Sequence, residues 1–174
     1  MGKICTIICG APCGKFPREL AEGFIIAADR GLDYALEAGI SPDIAVGDFD
    51  SAKSAVPSGI ETVKFPPEKD YSDAELAAKI ALERGFDEIK LLCSLGGRLD
   101  HTIANIQLAY SLKKRGVSAE LFGGGGGAGI TISPVAFLVV NNGSVSVKYI
   151  DAAEGSVERV IGMVPDLVDK ASDV

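Results

Sequence analysis

The residues most able to do chemistry fall in two short segments, Gly47-Asp48-Phe49-Asp50-Ser51 and Gly96-Gly97-Arg98-Leu99-Asp100-His101. Each follows an apolar run that reads as a buried strand, and each puts carboxylates where that strand opens into a loop. Asp48 and Asp50 are separated by one residue, so in extended chain their side chains leave the same face. Like charges set side by side raise each other's pKa and do little for stability. They do suit a hard divalent cation, which takes oxygen ligands and shares them with substrate phosphates. Arg98 adds a planar, permanently charged fork matched to phosphate oxygens. Together the two segments read as a magnesium–nucleotide site.

Such a site needs elements to hold it, and the hydrophobic periodicity supplies them. Ile4 to Cys9 and Phe24 to Ala28 are continuous apolar runs, and Leu32 to Ala38 is a short helical pattern stopped at Gly39. Ile44-Ala45-Val46 leads into Gly47; Glu61 to Phe65 alternates polar and apolar and ends at Pro66-Pro67. Ser72-Asp73-Ala74-Glu75 is a capping box that predicts a helix through Arg84, closed at Gly85. Ile89 to Cys93 reads as a buried strand, Thr102 to Arg115 as a helix stopped by Gly116, and Val117 to Phe122 as a further strand. Strand alternating with helix predicts an α/β fold, a mostly parallel sheet with helices on both faces.

In an open parallel sheet, ligands bind at the carboxyl ends of the strands. Asp29 follows the strand ending at Ala28, and Asp48 and Asp50 follow Val46. Asp70 and Asp73 follow Phe65, and Arg98 and Asp100 follow Cys93. Any one Asp near a helix start can be an N-cap, and Asp73 can be read that way. Four loops in succession are hard to explain as caps, above all at Gly47-Asp48-Phe49-Asp50, where no helix begins.

Composition narrows the function further. The 174 residues carry a net charge of −7 with no basic stretch, which argues against binding nucleic acid. With 47% hydrophobic residues and no Trp, the chain can build a sizeable core by aliphatic packing. Its apolar runs fall far short of the ~20 residues that span a bilayer. No signal peptide is read before Ile4, and Met1-Gly2 with Thr6 matches the loose myristoylation pattern only as a lead-in to the first strand. No membrane partner and a cytoplasmic location are expected. Cys5, Cys9, Cys13 and Cys93 include no Cys-x-x-Cys pair, so they read as small buried hydrophobes in a reducing compartment. Gly10-Ala11-Pro12-Cys13-Gly14-Lys15-Phe16 imitates a P-loop but has three residues between its glycines and Phe16 at the hydroxyl position. It reads as a turn able to approach a nucleotide.

Ala28-Asp29-Arg30-Gly31, Gly47-Asp48-Phe49-Asp50-Ser51, Lys69-Asp70-Tyr71-Ser72-Asp73 and Gly96-Gly97-Arg98-Leu99-Asp100-His101, in this order, resemble the thiamine pyrophosphokinase family. The similarity runs from about Lys3 to Phe122. It implies an enzyme that moves the terminal diphosphate of ATP to the hydroxyl of thiamine, forming thiamine diphosphate and AMP, with Mg²⁺ as cofactor. Carried over by position, Asp48, Asp50 and Asp73 hold the metal, Asp29 lines the same acidic pocket, and Arg98 clamps phosphates. Asp100 completes the charge arrangement, and Asn105 is a nucleotide contact. Lys69 reaches phosphate or is simply solvated; His101 sits beside the working Asp or serves as a hydrogen-bonded helix-start residue. Either Asp73 or Asp100 can take the proton of the attacking hydroxyl. A diphosphokinase for another hydroxymethyl compound such as a pterin, and a noncatalytic magnesium–nucleotide binder, remain as alternatives.

The resemblance stops in the last third. Residues 1–122 are expected to form the Mg-ATP-binding catalytic domain and residues 123–129 a Gly-rich junction. Residues 130–174 are expected to form a short, atypical β-rich domain: a hairpin around Asn141-Asn142-Gly143, then a strand from Val157 to Val164. The family usually continues into a larger β-sandwich that supports a homodimer and helps to hold thiamine, and this segment is the candidate for both roles.

Overall fold

The computed structural model describes residues 2–49, 54–64, 71–123, 128–132, 136–141, 145–150 and 160–162. The chain runs β1 (Ile4–Ile8), a 3-10 turn (Arg18–Leu20), β2 (Phe24–Ala28), α1 (Gly31–Glu37), β3 (Ile44–Val46) and β4 (Glu61–Val63). It continues with α2 (Asp73–Glu83), β5 (Glu88–Leu95), α3 (Leu99–Lys114) and β6 (Ser118–Gly123). Six parallel strands lie in the order β6-β5-β1-β2-β3-β4. Ile8 pairs with both Ala27 and Leu92, so β1, the first apolar run in the sequence, sits at the centre.

Side-chain alternation along the strands sorts the helices onto two faces. Ile7, Ile26, Ile44, Ile89 and Leu91 pack with Leu76, Ala77 and Ala81 of α2 and with Ala109 and Leu112 of α3. Ala27 and Ala45 point to the other face, where Leu32 of α1 covers them. Each of these Ile and Leu side chains is essentially shut off from solvent, which stabilises the fold by about 1.5–3 kcal/mol apiece. The alanines of α2 let that helix lie close to the sheet.

The helix starts show how sequence sets register. At α2 the Ser72 Oγ accepts the Glu75 N–H (3.3 Å) and the Glu75 carboxylate accepts the Ser72 N–H (2.7 Å), the expected capping box. α3 begins at Leu99, one turn earlier than the apolar periodicity predicts, with Arg98 as an extended N-cap that makes no side-chain cap bond. Thr102 does the anchoring instead: its Oγ1 accepts the Gly96 N–H (3.2 Å) and donates to the Arg98 carbonyl (3.3 Å). Asp100 and His101 therefore stand on the first turn of a helix, not in the loop before it.

Beyond β6 the chain turns back. β7 (Ala128–Ile132), β8 (Ala136–Asn141), β9 (Val145–Ile150) and β10 (Val160–Gly162) form an antiparallel meander. β7 pairs with β6, Leu121 opposite Ile130, so the meander continues the parallel sheet as one ladder of ten strands. The predicted hairpin around Asn142 is β8 and β9. β7 falls across the predicted Gly-rich junction and was not read as a strand.

Candidate active site

The carboxyl ends of β1, β2 and β5 and the starts of α2 and α3 enclose a cleft of about 640 Å³. Its lining includes Gly10, Ala11 and Pro12 from the turn after β1, Asp29 and Arg30 after β2, and Ser72 and Asp73 at the start of α2. Arg98, His101 and Asn105 close it from the α3 side. Five of the residues singled out from sequence, Asp29, Asp73, Arg98, His101 and Asn105, thus meet at one place. Asp48 is exposed on the loop beyond β3 and is not among the lining residues. Asp50 and Lys69 lie outside the described residues.

The three non-glycine residues with positive φ among those described, Asp29 (48°), Phe49 (60°) and Cys93 (49°), occur at or just after the carboxyl ends of β2, β3 and β5. L-residues resist this conformation, and such strain persists only where surrounding structure enforces it. At Asp29 the enforcement is visible: its N–H donates to the Val46 carbonyl (2.7 Å), and its carbonyl accepts the Leu32 N–H (3.0 Å) at the start of α1. Gly47 (φ 141°) presses on the same spot; a Cβ there would lie 3.2 Å from Asp29 Cα. The Gly before Asp48 is thus what lets the β3 loop run alongside Asp29.

At β5 the strain takes the form of a bulge. Leu91 pairs with Leu121 and Leu95 with Gly123, so the ladder shifts across Leu92-Cys93-Ser94. The bulge frees two carbonyls. That of Cys93 accepts the Ala11 N–H (3.1 Å), and that of Ser94 accepts Asn105 Nδ2 (2.7 Å). Ser94 Oγ ties off the bulge by donating to the Leu91 carbonyl (2.8 Å). Asn105 is buried, with its amide nitrogen committed to this bond; the bulge and the roles of Ser94 and Thr102 carry no signal in the sequence.

On the open side of the cleft, Arg98 folds onto Asp100 through paired bonds, Nε to Oδ1 (3.1 Å) and Nη2 to Oδ2 (2.5 Å). The guanidinium bonds hold the Asp100 carboxyl down at about 2, helped by the His101 N–H, and they raise Arg98 in turn. Both side chains are exposed, which leaves the fork able to exchange this carboxylate for phosphate oxygens. Among the described residues, no three Asp, Glu, His or Cys side chains form a group that could hold a metal ion by themselves. The donor chemistry at the cleft nonetheless suits Mg²⁺, which commonly takes one or two carboxylates and completes its shell with water and substrate phosphates.

The family model described as "Thiamin pyrophosphokinase, catalytic domain" matches residues 20–121, more than half of the chain and every lining residue from Ala28 onward. This chain belongs to the thiamine pyrophosphokinase family. Thiamine pyrophosphokinase from Bacillus subtilis (strain 168) is 39% identical over 101 residues, 55% of this chain and 47% of that protein. The chain therefore spans about half the length of this curated relative. The crystal structure of Bacillus subtilis thiamine pyrophosphokinase superposes with a TM-score of 0.65 at 31% identity, covering 74% of this chain and 63% of that one. A thiamin pyrophosphokinase family protein from Enterococcus faecalis gives 0.61 at 26% identity, covering 78% and 68%. A second family model, "Sporulation protein YtfJ", matches residues 100–169, beginning within α3 and taking in the antiparallel strands. No described helix is long and apolar enough to cross a membrane.

Proposed function

We propose that this chain transfers a diphosphate group from ATP to the hydroxyl of thiamine, giving thiamine diphosphate and AMP. The single observation that carries the reading is the convergence of Asp29, Asp73, Arg98, His101 and Asn105 on one cleft at the carboxyl edge of a parallel sheet, within the span matched by the family. In this reaction the hydroxyl oxygen attacks the β-phosphorus of ATP, the bond from that phosphorus to the oxygen bridging it to the α-phosphorus breaks, and AMP leaves with the bridging oxygen. The hydroxyl proton passes to a carboxylate, Asp73 or Asp100. Arg98 releases Asp100 to grip the phosphate oxygens, where charge accumulates in the transition state. Asp48, Asp50 and Asp73 are the residues that would hold Mg²⁺, whose chemistry is to neutralise and orient the phosphates. Lys69 and Asn105 are assigned to the nucleotide, and Asn105 spends one of its two amide N–H groups on the Ser94 carbonyl. A cytoplasmic homodimer, with residues 130–174 contributing to the acceptor pocket, completes the proposal.

The test is incubation of the whole protein with Mg-ATP and either thiamine or a hydroxymethyl pterin, with AMP as the readout. Thiamine-dependent AMP is the expected outcome. AMP formed only with the pterin would reassign the acceptor, and ATP binding without turnover would make the chain a nucleotide binder.

A further inference from the structure

We propose that Thr102 is a positioning residue for the phosphate clamp: its hydroxyl latches the Gly96-Gly97 joint and so sets where Arg98 stands at the cleft. The inference rests on the reading of Arg98 as a phosphate ligand and on no assignment of the acceptor.

Arg98 needs such a latch because of what precedes it. Gly96 (φ 100°) and Gly97 (φ 70°) are consecutive residues in the left-handed region, so the link between β5 and α3 has two swivels in a row. A Cβ at Gly96 would meet nothing within 4 Å, so packing does not hold that residue. Arg98 is the extended N-cap of α3 (φ −70°, ψ 129°), and its side chain makes no cap bond. Its guanidinium is bonded to Asp100 on the same helix start, a pair that moves with the joint and cannot fix it.

Two contacts confine the joint. From the turn after β1, Pro12 lies so close that a Cβ at Gly97 would sit 2.6 Å from its Cδ. From inside α3, Thr102 Oγ1 accepts the Gly96 N–H (3.2 Å) and donates to the Arg98 carbonyl (3.3 Å). A hydroxyl has one proton and two lone pairs, so both bonds are made at once. A threonine hydroxyl on the carbonyl four residues earlier is an ordinary helical back-bond. The bond from Gly96, six residues earlier, is not: it ties the strand side of the joint to the helix side through one oxygen, with Arg98 between. Asn105 adds a further tie to β5 at the Ser94 carbonyl (2.7 Å), but only the Thr102 tie brackets Arg98. A guanidinium grips two phosphate oxygens through parallel bonds in one plane, so a small swing of the Arg98 backbone forfeits one of them. Thr102 is not among the lining residues of the cleft and acts through Arg98.

The experiment titrates the full chain with Mg-ATP by calorimetry in the wild type, Thr102→Val, Thr102→Ser, Arg98→Ala and the double variant Thr102→Val/Arg98→Ala, and follows amide hydrogen exchange at Gly96. Thr102→Val keeps the shape and loses both hydroxyl bonds. Affinity should fall about two- to tenfold, the range set by a lost neutral hydrogen bond, and Gly96 exchange should quicken. Thr102→Ser should restore both. With Arg98 already replaced by Ala, Thr102→Val should weaken binding no further, because the residue it positions is gone. Wild-type affinity in Thr102→Val beside weakened binding in Arg98→Ala would overturn the inference alone. So would a loss from Thr102→Val that persists in full without Arg98, the result of a merely structural role. Unchanged affinity in Arg98→Ala, or no binding of Mg-ATP by the wild type, would overturn the clamp reading and the inference with it.

Discussion

Asn105→Ala is expected to destabilise the protein by removing one buried bond. Asn105 is 7% exposed, and the Ser94 residue whose carbonyl it satisfies is fully buried. The 2.7 Å bond joins α3 to the β5 bulge. Leaving a buried carbonyl without its donor costs about 1–3 kcal/mol. For a chain of this size each kcal/mol moves the midpoint by about 2–4 °C, which gives a fall in Tm of roughly 2–12 °C. The measurement is thermal unfolding by circular dichroism beside Ile103→Ala, an exposed position on the same helix that should change stability by no more than about 0.5 kcal/mol. Equal melting of the two variants would refute the idea that Asn105 secures the bulge.

Asp48→Asn should raise the magnesium concentration that turnover needs while leaving folding little changed, because it removes a charge proposed to bind the metal and keeps the shape; an unaltered magnesium titration would remove Asp48 from the metal set. Arg98→Lys keeps the charge and loses the fork, so turnover should fall at least about tenfold without a change in Tm; wild-type turnover in both Arg98→Lys and Arg98→Ala would end the clamp assignment. The Asp100 carboxyl lies below its ordinary value of 3.8, so its pairing with Arg98 is complete above that pH and is lost as the pH falls through about 2. Carbon NMR should place the Asp100 midpoint near 2 and show it rising towards 3.8 in Arg98→Met; a midpoint indifferent to that substitution would contradict the pairing. Gly47→Ala should cost about 1–3 kcal/mol in chemical denaturation, from a positive φ and a Cβ driven against Asp29; unchanged stability would mean that this contact relaxes freely.

The fold was legible where local signals agree with tertiary demands. Continuous apolar runs marked β1, β2 and β3 because strands covered on both faces have no polar side to alternate with. The α2 capping box was readable for the same reason that it is stable, since its bonds are local. The start of α3 was misplaced because Arg98 is not a capping residue and Thr102, which anchors the turn, acts from inside the helix. β7 was hidden by the glycines before it, since a segment poor in side chains gives no period. At the site, the order of the acidic loops was enough to bring Asp29, Asp73 and Arg98 to one edge. The β5 bulge was not readable, because Leu92-Cys93-Ser94 has no glycine to announce a positive φ. The partnership of Asn105 with Ser94 was hidden as well, because it joins two elements through tertiary packing.

β6 has one neighbour of each orientation, and that makes it a seam. Its bonds to β7 are made by backbone amides and carbonyls, groups that every residue other than proline supplies in full. A ladder of this kind joins two stretches of chain without asking for matched side chains, as an interface between separate bodies must. The two family likenesses overlap just here, over residues 100–121, where α3 and most of β6 are common to both. The strand that ends the parallel part of the sheet is also the one on which the antiparallel part begins. The cleft begins at β5, with four strands, β6 to β9, between it and β10.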